Sequence, residues 1–368
     1  MAFYDGDSFF DALESEIKTA QHSVLIETYI FASDRLGERI LCALHQAVLR
    51  GIEVRVIIDG LGSIYWSRAI RRRAQELGIG IKVFHQVPWL RWWVSIRAPR
   101  REFSWARAFH RLNRRNHRKV FIIDERLAFV GSMNVIEYHV ASYVGSTAWR
   151  DTGVRVEGEE VSILVASFNA LWGAGKKRAR LLRRGRISSG TQVFLNLHRQ
   201  QRRENYLNLL VRMLGAKDRI WIENAYFVPD SSIIRVLRVA AESGVDVRIV
   251  VPAFSDVVFI PWVASAFHLG LLRAGARVFE YTKSVLHAKS MIIDGWALVG
   301  SSNLNHRSLL HDLEADVALT DPDICRSLQE QVEKDCASCQ EVTLENWKRR
   351  PILERWIGRL LLAVRRVL

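Results

Sequence analysis

The sequence predicts an α/β fold made of two similar half-repeats, each with a mixed, mostly parallel sheet covered by helices on both faces. Three observations predict it. Apolar strand-like runs alternate with helical stretches, the same order of elements occurs twice, and 368 residues with 49% hydrophobic content suffice for two cores of ordinary size. A chain this apolar is not a disordered one.

In the first half, SVLIETYIF (Ser23 to Phe31) has the continuous apolar character of a buried strand, a helical stretch follows through Leu49, and GIEVRVIIDG (Gly51 to Gly60) is a second strand. The second half repeats this order with RIWIENAYFVPD (Arg219 to Asp230), the helical SSIIRVLRVAAES and GVDVRIVVP (Gly244 to Pro252). Each half then passes through a helical segment to a third strand, IKVFHQ (Ile81 to Gln86) or ARVFEY (Ala276 to Tyr281). HRKVFIIDERLAFVGSMN (His117 to Asn134) and HAKSMIIDGWALVGSSN (His287 to Asn303) follow, each reading as two short apolar strands joined by a polar turn. Strands separated by helices pair in parallel through right-handed crossovers, once per half.

Between the halves lies GAGKKRARLLRRGRISSG (Gly173 to Gly190), with seven basic residues from Lys176 to Arg186. It reads equally as a solvated connector and as a grip on an anionic surface. The expected organisation is a first repeat over 1–173, a basic linker over 174–190, a second repeat over 191–340 and an amphipathic, basic C-terminal segment over 341–368.

A formal net charge of +14 calls for an anionic partner, whether nucleic acid, anionic lipid or a phosphorylated substrate. The first twenty residues carry acids where a signal peptide needs bases, so a cleaved export signal is not expected. The longest apolar stretch, Val257 to Leu272, is interrupted by Pro261, Ser265 and His268 and falls short of a bilayer span. Cys42, Cys325, Cys336 and Cys339 are too few and too scattered for a disulfide framework, which fits a reducing compartment. Cys336 and Cys339 form a C-x-x-C without a second pair, and no function is assigned to them.

The chemistry is carried by two H-x-K-x-x-x-x-D patterns, His117/Lys119/Asp124 and His287/Lys289/Asp294, each followed by G-S-x-N at Gly131 to Asn134 and Gly300 to Asn303. On a strand, residues two apart point to the same face, so each pair presents an imidazole and an ammonium to one ligand. That arrangement fits a phosphate. Asp124 and Asp294 complete the catalytic motif, but they end a strand several residues from the histidine and are expected to brace it rather than react. Glu27 and Glu223 occupy equivalent places on the first strand of each half. A buried carboxylate there needs a partner, either in support of the site or in a structural ion pair.

The duplicated motif resembles the signature of the phospholipase D superfamily over nearly the whole chain. ENAYFVPD, LHAKSMIIDGWALVGSSNLNHRSLLHDLEADV and TAWRDTGVRVEG are similar to the bacterial cardiolipin synthases, especially the short type without N-terminal membrane spans. The resemblance implies the phospholipase D fold, with both motifs meeting in one cleft, one histidine attacking phosphorus and the other protonating the leaving alkoxide. It needs neither cofactor nor metal. Lys119 and Lys289, with Asn134, Asn303, Ser132 and Ser301, would hold the phosphate oxygens, and Asp151 and Glu314 would orient the histidines. The motifs are nearly symmetric; we assign His117 as nucleophile and His287 as general acid.

The implied reaction is phosphatidyl transfer between two phosphatidylglycerol molecules, giving cardiolipin and glycerol through a phosphohistidine. Hydrolysis of phospholipid is its alternative, and the superfamily also contains nucleases. Favouring lipid, QVPWLRWWVSIRAPRREFSWARAF sets Trp89, Trp92, Trp93 and Trp105 among arginines, a combination suited to a headgroup boundary. The same residue types would serve as a stacking platform for bases or as a packing loop. From Ile352, ILERWIGRLLLAVRRVL places Trp356 and six aliphatic residues at helical spacing with arginines opposite, as in an interfacial helix or one docked on the protein body. The expected location is peripheral, at the cytoplasmic face of the bacterial inner membrane, with an anionic phospholipid as substrate and no nucleic-acid partner.

Overall fold

The computed structural model of the chain describes residues 1–86, 114–173 and 190–350. The first half forms a seven-stranded sheet in the order β1-β7-β6-β5-β2-β3-β4: β1 (Ala2–Phe3), β2 (Ser23–Thr28), β3 (Glu53–Asp59), β4 (Gly80–Phe84), β5 (Val120–Ile123), β6 (Leu127–Gly131) and β7 (Gly153–Glu157). The second half forms an eight-stranded sheet in the order β15-β11-β10-β9-β12-β13-β14-β8. Its strands are β8 (Thr191–Leu195), β9 (Arg219–Asn224), β10 (Asp246–Pro252), β11 (Arg277–Tyr281), β12 (Lys289–Ile293), β13 (Trp296–Gly300), β14 (Ala315–Leu319) and β15 (Cys339–Val342). The two orders share one core, with β5-β2-β3-β4 matching β12-β9-β10-β11.

The sheets are mixed, but most of their pairings are antiparallel, contrary to expectation. Among the described strands, parallel pairing joins β2-β3-β4 and β9-β10-β11; isolated parallel bridges, such as Asn116 with Leu313 and Arg150 with Leu286, lie outside the strands. The helix crossovers occur only there. Each motif is a hairpin lying within the sheet, which forces β5-β6 and β12-β13 to run antiparallel.

The α-helices of five residues or more among the described residues are α1 (Gly6–Thr19), α2 (Arg35–Leu49), α3 (Ser67–Glu76), α4 (Val161–Trp172), α5 (Arg199–Leu214), α6 (Ser231–Glu242), α7 (Ile260–Arg273), α8 (His306–Leu310), α9 (Pro322–Ala337) and α10 (Leu344–Arg349). Aspartates fix several starts. Asp5, Asp34, Asp230 and Asp321 accept first-turn N–H groups of α1, α2, α6 and α9. Helices α1, α2 and α3 cover the outer face of the first sheet around Phe9, Phe10, Leu44 and Phe121. The second sheet's outer face carries α5, α6 and α7.

The inner faces meet in one core that joins Leu25, Ile122 and Val130 of the first sheet to Trp221, Ile292, Val299 and Val317 of the second, with α4 and α9 wedged beside them. Burial of this apolar surface holds the halves together. The second unit runs past residue 340, because β15 pairs with β11 and Trp347 of α10 is buried against α7, its indole N–H donating to Ser265. Trp89, Trp92, Trp93, Trp105, most of the basic linker and Trp356 lie outside the described residues.

Candidate active site

Both motifs begin at the carboxyl ends of the parallel strands. Glu27 in β2 pairs with Val120 in β5, and Asn224 in β9 pairs with Lys289 in β12, so His117 and His287 stand just beyond the sheets. Asp124 and Asp294 sit at the opposite end, in the hairpin turns, with left-handed φ values of 52° and 50°. The Asp124 carboxylate accepts N–H groups from Gln21, His22 and Ser23; Asp294 accepts them from Lys217, Asp218 and Arg219. Burial alone would raise these carboxyls, but the N–H groups hold them below their ordinary value. They anchor the strand leading into each repeat and do not reach the histidines.

The halves are cross-wired. The His117 N–H donates to the Leu313 carbonyl (2.9 Å), and the N–H of His287 donates to the Arg150 carbonyl (2.8 Å). Each acid next in sequence thereby reaches the other half's imidazole. His117 Nδ1 lies 3.1 Å from both oxygens of Glu314 and 3.2 Å from the Ser301 carbonyl. His287 Nδ1 lies 2.8 Å from Asp151 Oδ1. The pairs are not equivalent, since Asp151 Oδ2 also takes His139 Nδ1 at 2.6 Å, while His139 Nε2 accepts the Asn134 N–H at 3.1 Å. That bond places the His139 proton on Nδ1. His139, Asp151 and His287 bring their ligand atoms within 4.8 Å of one another, close enough for a metal ion, although both Asp151 oxygens and the Nδ1 atoms of His139 and His287 are already paired with one another.

Lys119 and Lys289 each donate to their own histidine's carbonyl, at 2.7 and 2.5 Å, and Lys119 lies over the Tyr29 ring. Both are buried. Burial and then the Lys289 charge lower Lys119 to about 7, while burial lowers Lys289 to about 8 against the pull of Asp151. The Lys289 ammonium thus lies near enough for its charge to bear on Lys119. Burial, then Lys119 and Lys289, holds His117 well below its usual range; burial and Lys289 also lower His287, against Asp151. Burial pushes Glu314 up to about 7 despite Lys119. Burial would likewise raise Asp151, but His139 and His287 prevail and keep it well below the ordinary carboxylate value.

The G-S-x-N residues divide in two. A Cβ on Gly131 would lie 2.5 Å from the Thr152 carbonyl, and one on Gly300 2.5 Å from that of Ala315, so each glycine lets the acid-bearing strand close in. Ser132 and Ser301 were expected on the phosphate, but their hydroxyls are engaged behind the site. Ser132 bridges the carbonyl and N–H of Thr152, and Ser301 donates to Glu314 (2.5 Å) and accepts from Ala315 N–H (3.0 Å). Asn134 Oδ1 accepts the Ile30 N–H (3.1 Å), whereas the buried Asn303 Oδ1 has no hydrogen-bond partner among the described residues.

Glu27 and Glu223 lie behind the motifs. Glu27 accepts from Asn116 Nδ2 (3.0 Å) and lies 3.6 Å from Arg118; Glu223 accepts from Ser290 (2.6 Å) and lies 3.5 Å from Arg150. Arg150 also pairs with Asp335 at 2.7 Å. Arg115 docks on Asp59 (2.6 Å), whose other oxygen takes the Asn116 N–H, and this fixes the approach to His117. Sequence reasoning missed His139, Asp59 and Arg115.

Two imidazoles backed by carboxylates, with two buried ammonium groups on a duplicated α/β fold, define a phospholipase D-like site. A phosphatidylserine synthase from Haemophilus influenzae has this fold throughout, with a TM-score of 0.73 at 14% identity, covering 100% of this chain and 95% of that one. A polyphosphate kinase from Porphyromonas gingivalis shares the fold at a TM-score of 0.58 and 15% identity, over 99% of this chain and 55% of its own.

The family profile described as "Cardiolipin synthase, PLD-like domain" matches residues 13–172 and 209–336, and the chain belongs to that family. A cardiolipin synthase of Clostridium perfringens is 30% identical over 373 aligned positions, covering 96% of this chain and 73% of the relative. Cardiolipin synthase 2 of Staphylococcus epidermidis is 28% identical, over 96% and 71%. Among the described residues, no helix is long and apolar enough to cross a membrane.

Proposed function

We propose that the chain is a cardiolipin synthase, a phosphatidyltransferase of the phospholipase D superfamily that joins two phosphatidylglycerol molecules and releases glycerol. The chemistry rests on one observation: each histidine is backed by the acid of the other half, so both imidazoles serve one phosphate between Lys119 and Lys289. The choice of lipid rests on relatives named cardiolipin synthase across 96% of the chain.

Neutral His117 attacks phosphorus through Nε2. The P–O bond to glycerol breaks as His287 gives that oxygen a proton, leaving a phosphatidyl group on His117. His287 then takes the hydroxyl proton of a second phosphatidylglycerol, whose oxygen displaces His117 and forms cardiolipin. Lys119 and Lys289 each keep N–H groups for the nonbridging oxygens, and their charges meet the charge that builds in the transition state. A bound phosphate also returns the two lysines to their charged forms. Water in place of the second lipid would give hydrolysis.

The net charge of +14 suits an anionic phospholipid and peripheral attachment at the cytoplasmic face of the inner membrane. Purified protein supplied in EDTA with phosphatidylglycerol micelles and with plasmid DNA is expected to yield cardiolipin and glycerol and to leave the DNA whole. Cut DNA without lipid turnover would overturn the reading, as would transfer that persists in the His117→Asn, His287→Asn double variant.

A further inference from the structure

Helices α1 and α5 hold corresponding places, each preceding the first parallel strand of its half, but they pack differently. Helix α1 buries Phe9, Phe10, Leu13 and Ile17 completely, with the phenyl rings set edge-on against Phe121 and Phe129. Helix α5 buries only Met213 and exposes Leu207, Val211 and Leu214. Beneath it lies a cavity of about 750 Å³, walled by Phe194, Leu209, Met291, Trp296, Leu298 and Leu304.

The cavity follows β12 along its length, from Lys289 to the turn at Asp294 and Gly295. Five strand residues span about 17 Å. Lys289 and Glu314, at one end, belong to the active site; beyond them most of the exposed wall surface is apolar, with Arg202, Arg212, Asp294 and Asp316 also standing on it. Asp316, the buried carboxylate on that wall, is held by the N–H and hydroxyl of Ser302.

We propose that this cavity takes one acyl chain of the phospholipid whose phosphate lies at Lys289, an inference that rests on the lipid-transfer reading above. An amphiphile matches a cavity that begins at Lys289 and continues along the apolar side chains of Met291, Trp296 and Leu298. The volume is that of a ligand site rather than a packing defect. The fold does not require the space, since the first half fills its counterpart with phenylalanines.

Leu209→Trp fills the cavity from the helix and Leu298→Trp from the sheet; neither residue touches the reacting groups. The wild-type protein is expected to bind cis-parinaric acid saturably, and both variants are expected to lose that binding while keeping their melting temperature. With dioleoyl phosphatidylglycerol their kcat/KM should fall by about tenfold or more, the effect of excluding a few methylenes, while dihexanoyl phosphatidylglycerol turns over as in the wild type. Equal parinaric acid binding by wild type and both folded variants would overturn the proposal. A wild type that turns over neither lipid would instead refute the transfer reading, and the binding comparison would still decide the cavity.

Discussion

Replacing Asp151 by asparagine should cost far more activity than replacing Glu314 by glutamine, although both acids back a histidine. The His139 ring is fixed by the Asn134 N–H on Nε2, so its Nδ1–H must find an acceptor in residue 151. In Asp151→Asn the amide oxygen therefore turns to His139, and the NH2 group faces His287 Nδ1. His287 is forced into the tautomer with its proton on Nε2. A neutral ring of that kind can neither accept a proton there nor give one without becoming an imidazolate. A histidine held in the wrong tautomer loses about 10³- to 10⁴-fold in kcat, or roughly 4–5.5 kcal/mol, with KM little changed because both lysines remain. In Glu314→Gln the Ser301 carbonyl, 3.2 Å from His117 Nδ1, still fixes the useful tautomer, and the loss should be about 10- to 100-fold. Glycerol release from phosphatidylglycerol micelles, measured beside a thermal melt of each variant, tests the pair. A folded Asp151→Asn enzyme within tenfold of wild type, or one more active than Glu314→Gln, would refute the reasoning.

Other outcomes follow from the same geometry. Asp124→Ala removes the acceptor of the Gln21, His22 and Ser23 N–H groups, so stability should fall by about 2 kcal/mol in urea unfolding while kcat stays near wild type. Because those N–H groups lower the Asp124 carboxyl, its contribution is present above the ordinary value of 3.8 and should vanish as pH falls below it. Lys119 and Lys289, lowered to about 7 and about 8, lose their charge as pH rises through that range, so kcat/KM should decline there. The unfolded lysine keeps its proton up to 10.5 and the folded one does not, so these groups add stability over the same interval; activity lost together with melting temperature would contradict this assignment. Gly131→Ala sets a Cβ 2.5 Å from the Thr152 carbonyl, where only backbone can yield, and should destabilise by about 1–3 kcal/mol as a lowered urea midpoint.

The strands around the motifs were legible because they are short apolar runs ended by turn residues, and the repeat made each half a check on the other. The sheet direction was not. Strand–helix–strand order describes only β2 to β4 and β9 to β11, and strands such as β7 and β14 join the sheet through non-local pairing that no periodicity marks. The pairing of each histidine with its lysine was legible because residues two apart on a strand share a face. Their wiring across the halves was not, since the bond between His117 and Glu314 spans the packed core. Ser132 and Ser301 were misread for a related reason: a conspicuous hydroxyl beside a motif serves equally to hold backbone together. His139 has no repeat counterpart to draw attention to it.

Two nearly identical motifs need not play identical parts, and the difference lies behind the rings. Asp151 is ionised, divides its oxygens between His139 and His287, and stands in a fixed network that includes the Asn134 N–H. Glu314 turns both oxygens to His117, is raised to about 7, and shares one of them with the Ser301 hydroxyl. When a phosphate enters and its charge raises both imidazoles, the proton is better held by the ring that faces a full carboxylate charge. That ring is His287, and on this ground we propose it as the acid, with His117 neutral for the attack. The assignment depends on partners contributed by the opposite half, so inspection of either motif alone could not have supplied it.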